Sequence, residues 1–184
     1  MKSALIVIDV QKSFIHRPFW TEDDLPAFKE KQLALIAGYQ ARGWPVVQIF
    51  HHSAGAFDPA NGLCVALDWM PDPSGLVFNK HVHNALTESG LLEWLKTNDI
   101  DHVSISGIRT EQCCETTARV ASDLGYAVDF VSEATLTWPM THADGVTVTA
   151  AQIKHRTELV LAGRFARVST VAECLAALDE QYAA

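Results

Sequence analysis

The sequence lacks any apolar run near the ~20 residues that a bilayer span requires. Its first hydrophobic stretch, Ala4 to Ile8, is stopped by Asp9, and no small-residue cleavage site follows. A soluble, cytoplasmic protein without a membrane partner is expected. Basic charge is also in short supply. Lys and Arg total 14 against 22 Asp and Glu, a net charge of −8, so nucleic acid and anionic membranes are disfavoured as partners. There are 4 cysteines, Cys64, Cys113, Cys114 and Cys174, and their spacing matches neither a zinc-ligand pattern nor a disulfide framework. Reduced thiols are expected. No G-x-G-x-x-G or P-loop segment is present, which removes the usual nucleotide signatures. Repeats, low-complexity tracts and linker-like stretches are missing too, so residues 1–184 read as one domain. A chain 48% hydrophobic and 20% charged is not a disordered one.

What is present is an alternation. Short β-branched runs at 4–10, 45–50, 76–80, 102–107, 127–132 and, more weakly, 166–169 read as strands. Several are apolar on both faces, the pattern of parallel strands covered by helices on each side. Helical patterns fall between them at 25–43, 87–99, 110–125 and roughly 149–161, and a last one closes the chain at 171–182. Gly43 is placed to stop the first helix. The rhythm predicts an α/β fold, a three-layer α/β/α sandwich whose mainly parallel, Rossmann-like sheet has about six strands. Sites in such folds lie at the carboxyl ends of the strands, where strand order reverses. Asp9, His51, Lys80 and the turn 107–114 all fall at or just beyond strand ends.

The stretch "GIRTEQCCETTARVASDLGY" places two adjacent thiols near a helix start. Neighbours on a helix point about 100° apart, so they cannot share one environment. With Thr110 as N-cap, Cys113 lies in the first turn, where the helix dipole would lower its pKa. Cys114 lines up with Thr117, Ala118 and Ala121, a small-residue stripe suited to packing. Two readings of Cys113 stay open, a nucleophile or a small buried hydrophobe. Asp9 could be a turn-forming residue or a base near the thiol. Lys80 could be solvated surface or the ammonium that steadies both.

Three segments, "ALIVIDVQKSF", "FNKHVHNAL" and the cysteine stretch, resemble in order and spacing the signatures of the isochorismatase-like cysteine hydrolase superfamily, which includes nicotinamidases, N-carbamoylsarcosine amidases, ureidoacrylate amidohydrolases and isochorismatases. The resemblance spans nearly the whole chain. It implies that fold, a catalytic set of Asp9, Lys80 and Cys113, and a non-prolyl cis peptide between Ile108 and Arg109. It further implies an oxyanion hole from the backbone N–H groups of Arg109 and Cys113, a small-molecule substrate, and a homo-oligomer. The implied reaction is cleavage of a C–N bond in a small amide, ureido or carbamoyl compound through a thioester on Cys113.

Departures from the superfamily pattern bear on cofactor and substrate. "QIFHHSAGAFDP" lacks the Asp-x-His pair of the metal-dependent nicotinamidases, so no metal and no cofactor are expected. His81 and His83 read as surface or supporting residues. Arg109 stands where many relatives have a small residue; it points either into the pocket towards a substrate carboxylate or outward into an ion pair. Gln11, Phe14, His51 and Trp138 are further substrate-binding candidates, and Trp20 a lid or contact residue. Two alternatives remain: vinyl ether hydrolysis that does not use the thiol, and a non-catalytic α/β binding protein.

Overall fold

In the computed structural model, which describes residues 2–72 and 75–182, the elements alternate as the sequence predicts. The chain runs through β1 (Ser3–Ile8), α1 (Leu25–Ala41), β2 (Val46–His51), β3 (Val77–Lys80), α2 (Leu91–Thr97) and β4 (His102–Ile108). It continues through α3 (Glu115–Asp123), β5 (Ala127–Leu136), a hairpin of β6 (Met140–Thr141) and β7 (Thr147–Val148), then α4 (Ala150–Leu161), β8 (Arg167–Ser169) and α5 (Val171–Tyr182). Six strands form one sheet in the order β3–β2–β1–β4–β5–β8, every neighbouring pair parallel.

Side-chain alternation along β1 divides the core into two layers. Ala4, Ile6 and Ile8 pack with Leu91 and Leu95 of α2 and with Ala118 and Ala121 of α3. Leu5 and Val7 face the opposite way, onto Leu35, Ile36 and Tyr39 of α1 and Leu178 of α5. Since successive strand residues alternate faces and both faces are covered, β1 has to be apolar from Ala4 to Ile8. No helix of the described residues is long and apolar enough to cross a membrane.

From β1 the chain winds outward to β2 and β3, then crosses back so that β4 lies beside β1. The reversal opens a crevice past the carboxyl ends of β1 and β4. Ile8 pairs with Gly107 there. A Cβ on Gly107 would sit 2.0 Å from the Ile8 carbonyl oxygen, and its φ is +122, so glycine alone lets the two strand ends approach. Asp9 follows with φ 53, a left-handed conformation that Asp tolerates better than most residues.

Local differences from the sequence reading have physical causes. Thr110 is not an N-cap, because its hydroxyl is committed to Thr135 Oγ1 at 2.8 Å. Residues Thr110–Cys114 form one wide π turn, in which the Cys114 N–H reaches the Arg109 carbonyl at 3.2 Å, before α3 begins. The second helix starts at Leu91 rather than 87, because the side chains of Asn84 and Ser89 hold the preceding loop. The expected helix at 149–161 is capped by a reciprocal Thr149–Gln152 box. β5 runs on to Leu136 past a register shift opposite Ile105–Gly107, and a short hairpin occupies part of the segment read as polar loop.

Candidate active site

Three of the expected residues converge at the β1–β4 crevice. Lys80 ends β3 with its side chain fully buried. Its ammonium lies 2.8 Å from Asp9 Oδ2, 3.1 Å from His51 Nδ1 and 3.4 Å from Cys113 Sγ. Three protons thus meet three acceptors, which is how a buried ammonium is kept charged. An ammonium only donates, so His51 Nδ1 accepts and the ring proton sits on Nε2. Burial and the Lys80 charge hold the His51 pKa down to about 4, so the ring is neutral near pH 7.

Burial raises the pKa of Asp9 although Lys80 opposes it, which makes its carboxylate more basic than usual. The Cys113 thiol is pushed up to about 12, first by burial and then by the Asp9 charge, against the pull of Lys80. This corrects the expectation that the helix dipole would dominate and lower the thiol pKa. The resting sulfur is therefore a thiol, next to a cation that can stabilise it once deprotonated. Cys114 is fully buried in the α3 layer, as its small-residue stripe predicts.

Asp9 and Cys113 form the floor of a cavity of about 330 Å³. Phe14, Phe19 and Phe57 wall one side, with Phe14 and Phe57 edge to face at 5.0 Å. Exposed Arg17, Ser53, Ala54 and His83 stand at its mouth. Arg109 also lines it, but its guanidinium is already occupied. Nε lies 3.1 Å from Glu111 Oε1, Nη2 donates to the Trp138 carbonyl at 3.2 Å, and the group lies over the Phe19 ring at 4.7 Å. The inward and ion-paired alternatives for Arg109 are thus realised together. The peptide between Ile108 and Arg109 is cis.

Two expected binding residues do not line the cavity. Gln11 is fully buried, and its amide clamps the His51 backbone, accepting from His51 N at 2.7 Å and donating to His51 O at 3.0 Å. It positions the end of β2 rather than meeting a substrate. Trp138 stacks behind the aromatic wall at 6.0 Å from Phe14, with its indole N–H on the Thr21 carbonyl. Trp20 packs against Trp138 at 5.1 Å.

Sequence reasoning assigned His83 a supporting or surface role, yet its Nδ1 lies 3.6 Å from Cys113 Sγ and its ring stacks parallel to His51. The available signal was its place three residues beyond Lys80. His81, by contrast, pairs with Glu88 on the surface. Arg17, Phe19 and Phe57 lie in irregular segments, where no periodicity reveals which way a side chain points.

A family model described as the isochorismatase domain matches residues 3–173. An isochorismatase family protein of Bacillus subtilis (strain 168), YrdC, is 30% identical over 173 residues, 92% of each chain. Streptothricin hydrolase of Streptomyces noursei is 28% identical over 163 residues, 86% of this chain and 59% of its own length. The crystal structure of an isochorismatase-family protein from Chromobacterium violaceum ATCC 12472 aligns at a TM-score of 0.88 and 27% identity, covering 97% of this chain and 94% of that one.

Proposed function

The chain belongs to the isochorismatase family of hydrolases, and from that premise we propose that it cleaves a C–N bond of a small amide, ureido or carbamoyl compound through a thioester on Cys113. The observation that carries this reading is the buried Lys80 ammonium within hydrogen-bonding reach of both the Asp9 carboxylate and the Cys113 sulfur. A base must lie within such reach of the proton it removes.

Asp9 takes the thiol proton as Cys113 Sγ attacks the carbonyl carbon. The raised basicity of the carboxylate offsets part of the thiol's high pKa, and Lys80 stabilises the thiolate as it forms. The oxyanion is received by the backbone N–H groups of Arg109 and Cys113, each contributing about 2.7–4 kcal/mol if they act as other such donors do. Asp9 passes its proton to the leaving nitrogen, the C–N bond breaks, and ammonia or an amine departs. Water, activated by Asp9, then hydrolyses the thioester. The aromatic side of the cavity suits a substrate with a flat or apolar body, and the cavity volume of about 330 Å³ limits it to a small molecule.

A screen of small amides, ureas and carbamates for ammonia release, with Cys113→Ala as the blank, tests the proposal. Turnover that disappears in the variant supports the thioester. Turnover that survives it points to chemistry such as vinyl ether hydrolysis, which needs the acid and no thiol.

A further inference from the structure

We infer that Arg17 is a substrate-binding residue, and that the compound whose C–N bond is cleaved carries a carboxylate at the end remote from the reacting carbonyl. This names a substrate class within the hydrolase reading proposed above and rests on that reading. The segment "FIHRPFW" builds the mouth of the cavity. Pro18 disfavours a helical conformation at the residue before it, and Arg17 is extended, with φ −95 and ψ 142. Its N–H donates to the Phe14 carbonyl at 2.9 Å, and its own carbonyl accepts from the Trp20 N–H at 3.0 Å. The backbone of Arg17 is thus fixed on both sides, between the two aromatic residues, Phe14 and Phe19, that wall the cavity.

The side chain is placed with similar economy. The Arg17 guanidinium lies 5.7 Å from the centroid of the Phe19 ring, and it lines the cavity from the solvent side. Contact with a ring engages the face of a guanidinium and leaves its in-plane N–H groups for other partners. Arg42, Arg109, Arg119, Arg156 and Arg167 each pair with a carboxylate. Among the described residues no carboxylate lies within ion-pair distance of Arg17. Arg164 shares that property, but it stands beside Tyr126 and Ala127 at the amino end of β5, away from the cavity.

The other charges of the cavity are already matched. Asp9, the one carboxylate that lines it, is held by Lys80, and Arg109 is held by Glu111. Burial and the Lys80 charge keep the His51 ring neutral near pH 7. A substrate carboxylate on Arg109 would have to displace Glu111, whereas Arg17 offers a guanidinium with no such competitor. Its planar fork fits a carboxylate with two parallel bonds. A compound with an amide over Cys113, a body along the phenylalanine wall and a carboxylate at Arg17 meets all three parts of the cavity. A monoamide of a small dicarboxylic acid has this form.

Calorimetric titration of the Cys113→Ala protein measures binding without turnover. The probes are succinamate, glutaramate and 3-carbamoylbenzoate, each paired with the compound in which a carboxamide replaces the carboxylate. At least one acid is expected to bind about tenfold more tightly than its carboxamide, the scale of a charge-assisted hydrogen bond. Adding Arg17→Gln should weaken that acid by at least about tenfold and leave the carboxamide within about twofold. Acids that bind no better than their carboxamides, acids that do not bind at all, or an Arg17→Gln loss shared equally by both members of a pair overturns the assignment. The same pairs are then assayed for ammonia release with Cys113 intact. Hydrolysis of the acid with a KM raised by Arg17→Gln and a kcat nearly unchanged supports the substrate class. An acid that binds through Arg17 yet releases no ammonia removes the hydrolase reading and leaves the carboxylate subsite standing.

Discussion

The two ends of the same central strands carry buried polar clusters of similar composition and opposite character. At the amino end, Ser3 Oγ lies 2.7 Å from His102 Nδ1, and His102 Nε2 lies 3.4 Å from Asp129 Oδ2. The chain extends to Tyr39, which bonds Ser104 at 2.6 Å, and on to the Cys174 thiol. Arg167 grips Asp129 with two bonds of 2.7 and 2.6 Å. Serine, histidine, aspartate and a cysteine are all there, yet Ser3, His102 and Asp129 are at most 5% exposed and their polar atoms face one another. At the carboxyl end, Asp9 and Cys113, both within reach of the buried Lys80 ammonium, open onto a cavity. A set of reactive residue types is therefore not in itself a site. Access and an acceptor left free for a substrate are what separate the second cluster from the first.

Paired substitutions at the two ends test this contrast. The largest expected effect is on activity. Cys113→Ala should reduce ammonia release by at least about a thousandfold, as removal of a nucleophile does elsewhere, while Cys174→Ala stays within about twofold. If both fall together, the contrast fails.

Stability should differ next. Lys80→Met leaves the Asp9 carboxylate buried without its partner, a loss expected to be about 3–5 kcal/mol in urea melts near pH 7. Arg167→Met should cost less than this, because half of that side chain is in solvent and His102 still faces the Asp129 carboxylate.

Acid titration sharpens the comparison further, since the two carboxylates shift in opposite directions. The folded pKa of Asp9 is raised, mainly by burial. Its contribution to stability is full below the unfolded value near 3.8 and is lost as pH rises through the folded value. Burial also raises Asp129, but its hydrogen bonds to Arg167 and His102 outweigh this and hold the folded pKa low. Its contribution is present above 3.8 and lost as pH falls through the folded value. In melts from pH 7 to pH 3, Asp129→Asn should flatten the acid loss of stability and Asp9→Asn should steepen it. Activity, for its part, should fall as pH drops through the raised pKa of Asp9, sooner than an ordinary carboxylate would require. The smallest change is Tyr39→Phe, expected to cost about 1 kcal/mol of stability and to leave turnover unchanged.

Much of this was legible in the chain. Period-two and period-three-to-four patterns located six strands and five helices, because burial on one or both faces leaves a regular trace in the residue order. Asp9 stood out as an acid at the end of an apolar strand, but Asp9, Lys80 and Cys113 were joined as one set only by the resemblance of three segments to the superfamily signatures. Gln11 and Trp138 were harder. Both belong near the site, but one clamps backbone and the other backs an aromatic wall, and only side-chain direction distinguishes these tasks from binding. Thr110 looked like a helix cap until Thr135, 25 residues away, was found to hold its hydroxyl.

By itself, then, the order of residues determined the layers and the strand directions, since local periodicity and polarity follow directly from which face each residue buries, while the set of Asp9, Lys80 and Cys113 came from the resemblance of three separate segments. The fold alone decided the rest: that Lys80 reaches Asp9 and Cys113 at once, that Arg109 is neutralised by Glu111, that His83 meets the sulfur, and that an equally reactive set at the opposite end is sealed. Those outcomes depend on distances between segments remote in the chain and on which of them water can reach, and neither quantity is written in any local stretch of sequence.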